Sequence, residues 1–452
     1  MGPDYKKPAS EMPAVPADQK QSDADISPYI KADWWTMFQD PELNSLVGEA
    51  LENNKDLQIA LARVLEAQAQ FNITGADLWP QVNVDLQASR GNVLGTSVQP
   101  APVNAFVAEP TISWEIDLWG KQRRLKESDK AQYFATTAAK DLTRLALTAN
   151  VVNAYFLILT LDDQLSAAQD MAAADNDIVR VYKDRYNAGL LSMLDLSRVE
   201  ADAASVEASE KDLERQVLEA QSALAVLVGR TPKEIVEGQI KRGKKLEEII
   251  LIPNIPAGIP SSVLEKRPDV LQAEEQLISA NAQIGAARAS YFPNISLTAL
   301  FGYVSNSLES LFDNGVWSLA GGLVQPLFEG GKIKAQNKKA EAAYQESLAA
   351  YEKAVQSAFK DVYDSLNANR ITREVYDSTL QQTQALQKSF DITQDQYNAG
   401  YIDTINLLDV KRSLLQAQMS LAQARYNELA AIVSLSKALG GGWNEQYAGI
   451  GK

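Results

Sequence analysis

The strongest constraint in this chain is a long helical pattern that occurs twice. Residues Lys121 to about Asn187 contain no proline and end at Tyr186-Asn187-Ala188-Gly189. Ala138, Leu142, Leu145, Ala149, Val152, Phe156 and Leu159 recur at alternating steps of four and three. After a phase shift the seam resumes at Leu165, Ala168, Ala172, Val179, Tyr182 and Tyr186. That spacing predicts a helix with one apolar stripe for partner helices. Sixty-seven residues at about 1.5 Å each make a rod of roughly 100 Å, too long for the core of a compact domain. A second such rod, Lys332 to Asn398, ends at Tyr397-Asn398-Ala399-Gly400.

The flanking segments repeat as well. Asp40 is expected to cap a helix that has Pro41 at its first position and runs to about Leu78, before Pro80. From Gln81 the period falls to two. Val82, Val84, Leu86 and Ala88 alternate with polar residues, and after a loop so do Ile112, Trp114, Ile116 and Leu118. These read as two strands with one apolar and one polar, acidic face. The alternation fits half of a soluble sandwich as well as a membrane hairpin with lipid outside and water inside. A return helix follows the rod to Val228 and is closed by Gly229. Asp56 to Pro80 then matches Asp269 to Pro293, and Lys121 matches Lys332. Strands are expected at Asn294 to Tyr303 and, more weakly, at Trp317 to Leu327, where Gly321 and Gly322 allow tight curvature. The return seam recurs as Leu407, Val410, Leu414, Ala417, Leu421, Ala424, Ala431, Leu435 and Ala438, closed by Gly440.

The expected organisation is an extended proline-rich arm with an aromatic anchor at Trp34-Trp35 (1–40), a first repeat (41–229), a linker (230–266), a second repeat (267–440) and a tail (441–452). The fold class is mainly α, a tandem duplication of long helices with four strands per chain. Four strands cannot close a barrel, and open edges are not viable in lipid, so closure requires several chains.

Composition removes whole classes of chemistry. The chain has no Cys and no His, which excludes Cys/His zinc sites, His-held haem, Ser-His-Asp triads and thiol catalysis. No metal site and no cofactor is expected. A net charge of -15 disfavours nucleic acid. No run of about 18 apolar residues is evident, so no transmembrane helix is expected. Glu329-Gly330-Gly331-Lys332 lacks the earlier Gly and the following Ser/Thr of a phosphate loop. No enzyme is expected.

Several ordered segments carry a family resemblance: Gly2-Pro3-Asp4-Tyr5-Lys6-Lys7-Pro8, Trp34-Trp35 through Asp40-Pro41-Glu42-Leu43, and Trp114-Glu115-Ile116-Asp117-Leu118-Trp119-Gly120-Lys121. Ile255-Pro256-Ala257-Gly258-Ile259-Pro260-Ser261, Glu265-Lys266-Arg267-Pro268-Asp269-Val270 and Ala438-Leu439-Gly440-Gly441-Gly442-Trp443 complete the series. With the duplication, the chain resembles the TolC-like outer-membrane efflux channels of Gram-negative bacteria, in their lipoprotein, pump-associated (NodT-type) branch. The resemblance implies a homotrimer with one barrel of about twelve strands in the outer membrane and a hollow helical barrel crossing the periplasm. It implies a periplasmic adaptor and an inner-membrane transporter of RND type as partners, and passive export of drugs or other toxic small molecules. Heavy-metal efflux, type I protein secretion and a non-pore coiled-coil scaffold are the alternatives. The branch places an acylated Cys just before Gly-Pro-Asp-Tyr, where this chain has Met1, so a lipid anchor upstream is expected, an unlipidated member being the alternative.

The candidate sites follow from the same resemblance. Asn187, Ala188, Gly189 and Leu190, with Asn398, Ala399, Gly400 and Tyr401, make helix-capping turns and are the expected adaptor-docking tips. Ile405 and Asp409, one helical turn apart, fall where the branch constricts its pore, and Leu194 and Arg198 are their counterparts in the first repeat. Arg198 is expected to pair with an Asp409 carboxylate; a plain seam Ile and solvated Asp is the simpler reading. Trp79, Trp114, Trp119 and Phe328 are the expected membrane-interface aromatics.

Overall fold

A computed structural model of the chain describes residues 2–8, 29, 31–91, 102–249 and 266–441. The Ile255–Ser261 segment, Glu265, Gly442-Trp443, the loop between the first two strands and most of the arm lie outside the described residues. In chain order the elements are α1 (Pro41–Asn53), α2 (Lys55–Ala76), β1 (Gln81–Gly91), β2 (Val103–Ile116), α3 (Lys121–Asn187), α4 (Met193–Val228) and α5 (Pro232–Glu237). They continue with α6 (Pro268–Ala289), β3 (Asn294–Ser305), β4 (Gly315–Val324), α7 (Lys332–Asn398) and α8 (Thr404–Ala438). The chain forms two compact units, and each draws on both repeats.

The first unit holds the strands and residues of α2, α3, α6 and α7. Its sheet has the order β1-β2-β3-β4, with every pair antiparallel. The register decides what the sheet is. Val82, Val84 and Leu86 lie opposite Ile112, Pro110 and Ala108, and Ile112 and Trp114 lie opposite Ala299 and Leu297. Ala299 and Phe301 then lie opposite Leu319 and Trp317. Opposed residues share a face, so one apolar surface runs unbroken over strands from both repeats. No layer covers it among the described residues: Leu86 is 78% and Trp317 77% exposed. The opposite face carries Asn83, Asp85, Thr111, Ser113, Ser296 and Thr298, with Thr111 donating to Asp85 at 3.3 Å. A soluble sandwich needs its second layer on the apolar face, and that face is bare.

The fourth strand runs from Gly315 to Val324 rather than Trp317 to Leu327. Pairing stops before Pro326, which has no amide to give a ladder. Residues 2–8 are irregular but not loose, against the expectation of an unpacked arm. Asp4 pairs with Arg124 at 2.7 Å and Lys7 with Glu274 at 3.1 Å. The Asn281 amide donates to the Pro3 carbonyl at 3.0 Å. Gly2, at φ +103°, lies so close to Gly285 that a Cβ there would stand 2.5 Å from its Cα.

The second unit holds α1, α4, α5 and α8 with the other parts of α2, α3 and α7. Asp40 is the N-cap of α1, as expected. The opening helix is not continuous, however. It breaks at Asn54, whose carboxamide oxygen accepts from Leu57 N at 3.0 Å and so caps α2. The same side chain donates to the Leu227 carbonyl at the end of α4 at 2.8 Å. The second repeat does this job with a different residue. Arg267, at the matching position, donates to the Ala438 carbonyl at the end of α8 at 2.8 Å. Each return helix thus has a terminal carbonyl satisfied by the residue that precedes the entry helix of its own repeat.

Burial along α3 is wider than the single seam. Leu145, Ala149, Val152, Phe156 and Leu159 are buried, but so are Leu147, Val151, Tyr155 and Ile158. Both sides are covered: Phe38 packs edge-on against Phe156 at 4.9 Å, and the Tyr155 hydroxyl donates to Asp40 at 2.8 Å. The expectation that no segment is apolar enough to span a membrane is corrected here. An 18-residue window of α3 has a mean hydropathy of 1.5, yet 67% of it is buried, so it reads as a core helix. Tyr186, the last seam residue, is exposed. The linker after Gly229 contains α5, opened by a Thr231/Glu234 capping box.

Candidate functional site

The two glycine turns are the same structure built twice. Gly189 N–H bonds to Tyr186 O and Leu190 N–H to Arg185 O, each at 2.9 Å. Gly400 and Tyr401 make the matching bonds to Tyr397 and Gln396, also at 2.9 Å. These are helix caps of the Schellman type, which need a left-handed residue, and Gly189 and Gly400 sit at φ +70° and +77°. A Cβ on either would meet nothing within 4 Å, so backbone conformation alone requires glycine. The next helices begin at once. Ser192 accepts from Asp195 N, and Asp403 from Asn406 N at 3.1 Å. Leu190, Met193, Leu194, Tyr401 and Ile405 all lie exposed around these turns.

Behind the turns, α3, α4 and α8 lock together. Tyr182, Leu196, Val199 and Leu408 form one apolar cluster, and Met171, Ala172, Val206 and Leu415 another. Between them lies a buried ion pair, Lys411 to Asp175 at 2.6 Å, with side chains 7% and 3% exposed. Lys411 also donates to the Met171 carbonyl at 3.3 Å. Beside it Arg412 holds Asp202 at 2.7 Å. Burial pushes the Asp202 carboxyl up, and Arg412 opposes that shift.

The expected ring residues fall in this region. Ile405 and Asp409 are on α8, and Leu194 and Arg198 on α4, all with exposed side chains. Arg198 and Ile405 line one cavity of about 420 Å³ together with Asp202, Leu408 and Arg412. Within the chain Arg198 does not pair with Asp409. Asp409 lies 3.7 Å from Arg412, three residues on along its own helix, and Arg198 makes no ion pair among the described residues.

Sequence reasoning missed Asp175 and Lys411, although a signal existed. Asp175 occupies the seam position between Ala172 and Val179, and Lys411 the one between Leu407 and Leu414. Charges at seam positions of two helices point to a buried pair. Val410, assigned to the seam, is only half-buried while Lys411 is buried.

The four interface aromatics divide into two kinds. Trp79 and Phe328 are 72% and 90% exposed. Trp114 and Trp119 are half-buried, and their indole N–H groups are used inside the fold. Trp114 donates to Leu78 O at 3.1 Å, and Trp119 donates to Pro293 O at 2.8 Å while stacking on Phe292.

The family profile described as Outer membrane efflux protein matches residues 46–230 and again 259–441. The chain belongs to the outer membrane efflux protein family. The two matched stretches are the two repeats. Among curated relatives, the Cation efflux system protein CusC of Escherichia coli is 31% identical over 458 residues, covering 98% of this chain and 96% of that protein. The Toluene efflux pump outer membrane protein TtgC of Pseudomonas putida is 32% identical, covering 98% and 93%. Among solved structures, the Campylobacter jejuni CmeC outer membrane channel superposes with a TM-score of 0.91 at 24% identity, covering 98% of this chain and 95% of that one. At that identity the likeness establishes the fold. This efflux protein is an outer-membrane protein of a Gram-negative bacterium that extends into the periplasm.

Proposed function

We propose that copies of this chain, three to a ring, close a β-barrel in the outer membrane and a helical duct beneath it. The duct is the passive exit of a tripartite pump, fed by a periplasmic adaptor and an RND-type transporter. The observation that carries this reading is the sheet: one apolar face continuous over four strands, with no covering layer and with β1 and β4 as open edges among the described residues. Only neighbouring copies can satisfy such edges in lipid. The glycine turns, with their exposed Leu190 and Tyr401, are the surface offered to the adaptor. Ile405 above Asp409, repeated in each copy, makes an apolar ring over an acidic ring that draws cations and narrows the resting duct.

Planar-bilayer recording tests the reading. Purified protein is expected to give discrete cation-preferring conductance steps, and Asp409→Ala to raise the single-channel conductance. Absence of conductance from protein inserted in the bilayer refutes the duct and supports a scaffold. Unchanged conductance in the variant refutes the ring alone. The cargo we propose is small toxic organic molecules, with heavy metals as the second reading; the Escherichia coli relative is named a cation efflux protein. Complementation of a channel-deficient strain, challenged separately with solvents and metal salts, discriminates the two.

A further inference from the structure

The chain carries a net charge of -15, yet cations gather at one place in the first unit. Lys332, Lys334, Lys338 and Lys339 lie in the first turns of α7, all exposed, and none makes an ion pair among the described residues. Lys334 and Lys338, with Arg288 from the last turn of α6, line a groove of about 720 Å³. Glu341 also lines it, and Arg288 answers that charge at 3.3 Å. The two lysine ammonium groups are left over. Tyr291 and Phe292 form an aromatic wall of the same groove, and Gly2 lies against it.

The surroundings say what kind of anion fits. The Gln325 amide donates to the Tyr291 carbonyl at 3.1 Å, which holds the segment after β4 beside the groove. Two residues further on, Leu327 and Phe328 are almost wholly exposed. Free cations flanked by bare aliphatic and aromatic side chains match a ligand with a phosphate at one end and hydrocarbon at the other. Inorganic phosphate has no use for the apolar neighbours.

We propose that this groove binds the head group of an anionic phospholipid, its phosphate between Lys334 and Lys338 and its acyl chains along Leu327 and Phe328. The inference rests on the membrane reading of the sheet. A juxtamembrane cation contributes about fivefold in affinity for an anionic lipid surface, so removing both lysines costs about 25-fold.

Native mass spectrometry of detergent-purified protein, titrated with phosphatidylglycerol or phosphatidylethanolamine, tests it. Phosphatidylglycerol is expected to be retained preferentially, and Lys334→Ala with Lys338→Ala to abolish the preference. Lys388→Ala, an exposed cation elsewhere on α7, is expected to change nothing. Circular dichroism of the double variant confirms that it has folded. Equal retention of both lipids, equal retention by wild type and double variant, or displacement of the lipid by millimolar inorganic phosphate overturns the proposal. Protein that fails to insert into liposomes refutes the membrane reading, whereas insertion without lipid preference removes only this site.

Discussion

The buried Lys411–Asp175 pair invites the sharpest test. Replacing Asp175 with Ala leaves an ammonium group with one carbonyl contact, at 3.3 Å, in a site where it is 7% exposed. Breaking a buried pair from one side costs roughly 3–5 kcal/mol, because the remaining charge is desolvated without compensation. Replacing both partners with apolar residues, Asp175→Leu with Lys411→Met, removes the penalty with the charge. The double variant should stand within about 1–2 kcal/mol of wild type. The pair acts on one stretch of the long helices, so the measurement is local. Hydrogen–deuterium exchange at the amides of 171–182 and 404–415 reports it. A local opening energy lowered by 3–5 kcal/mol speeds exchange by roughly two to nearly four orders of magnitude. Protection should collapse in each single variant and return in the double one. Singles that exchange like wild type, or a double variant as exposed as the sum of its singles, would refute the reasoning.

Three further outcomes follow from the geometry. Asp40→Ala strips acceptors from Glu42 N, Leu43 N, Tyr155 OH and Lys244 N at 2.9, 3.3, 2.8 and 3.1 Å. A lost cap plus orphaned buried donors costs about 2–4 kcal/mol, read as at least about tenfold faster trypsin cleavage at Arg242 and Lys244. Gly229→Ala should cost more than Gly189→Ala, although both glycines have positive φ. A Cβ at Gly229 meets Asn53 O at 2.5 Å whereas Gly189 has open space; equal shifts in thermal midpoint would contradict this. Burial, then Glu274, push the Glu275 carboxyl up to about 7, with Lys130 opposing. The folded state therefore binds the extra proton, so stability contributed at low pH is lost as pH rises from about 4.5 through about 7. Glu275→Gln should flatten that decline in thermal midpoint; an unchanged slope argues against it.

Much of the fold was legible because its periods are long and repeated. The seams gave both rods their bounds, and alternation gave the strand faces, since a pleat fixes sidedness once a strand is recognised. The pairing of β2 with β3 was not legible: those strands come from different repeats, and no turn chemistry ties them together. The break at Asn54 was missed because apolar spacing continues across it; only the Asn53-Asn54 pair marks a cap. At the candidate site, local spacing placed Ile405 and Asp409 on one helix. It could not show that Arg412, a neighbour along that helix, approaches that carboxylate within the chain. The long-range partner of Lys411 is 236 residues away in the chain, and no periodic rule names it.

The open sides of the sheet have a consequence for biogenesis. β1 has 11 residues and β4 has 10, so each presents a row of unsatisfied amides and carbonyls. At several kcal/mol for each such group in hydrocarbon, a solitary subunit is barred from the bilayer. In the proposed ring, insertion and oligomerisation would therefore be a single event. A copy with a crippled margin would not merely fail; it would poison its sisters, so such alleles should be dominant over the intact gene.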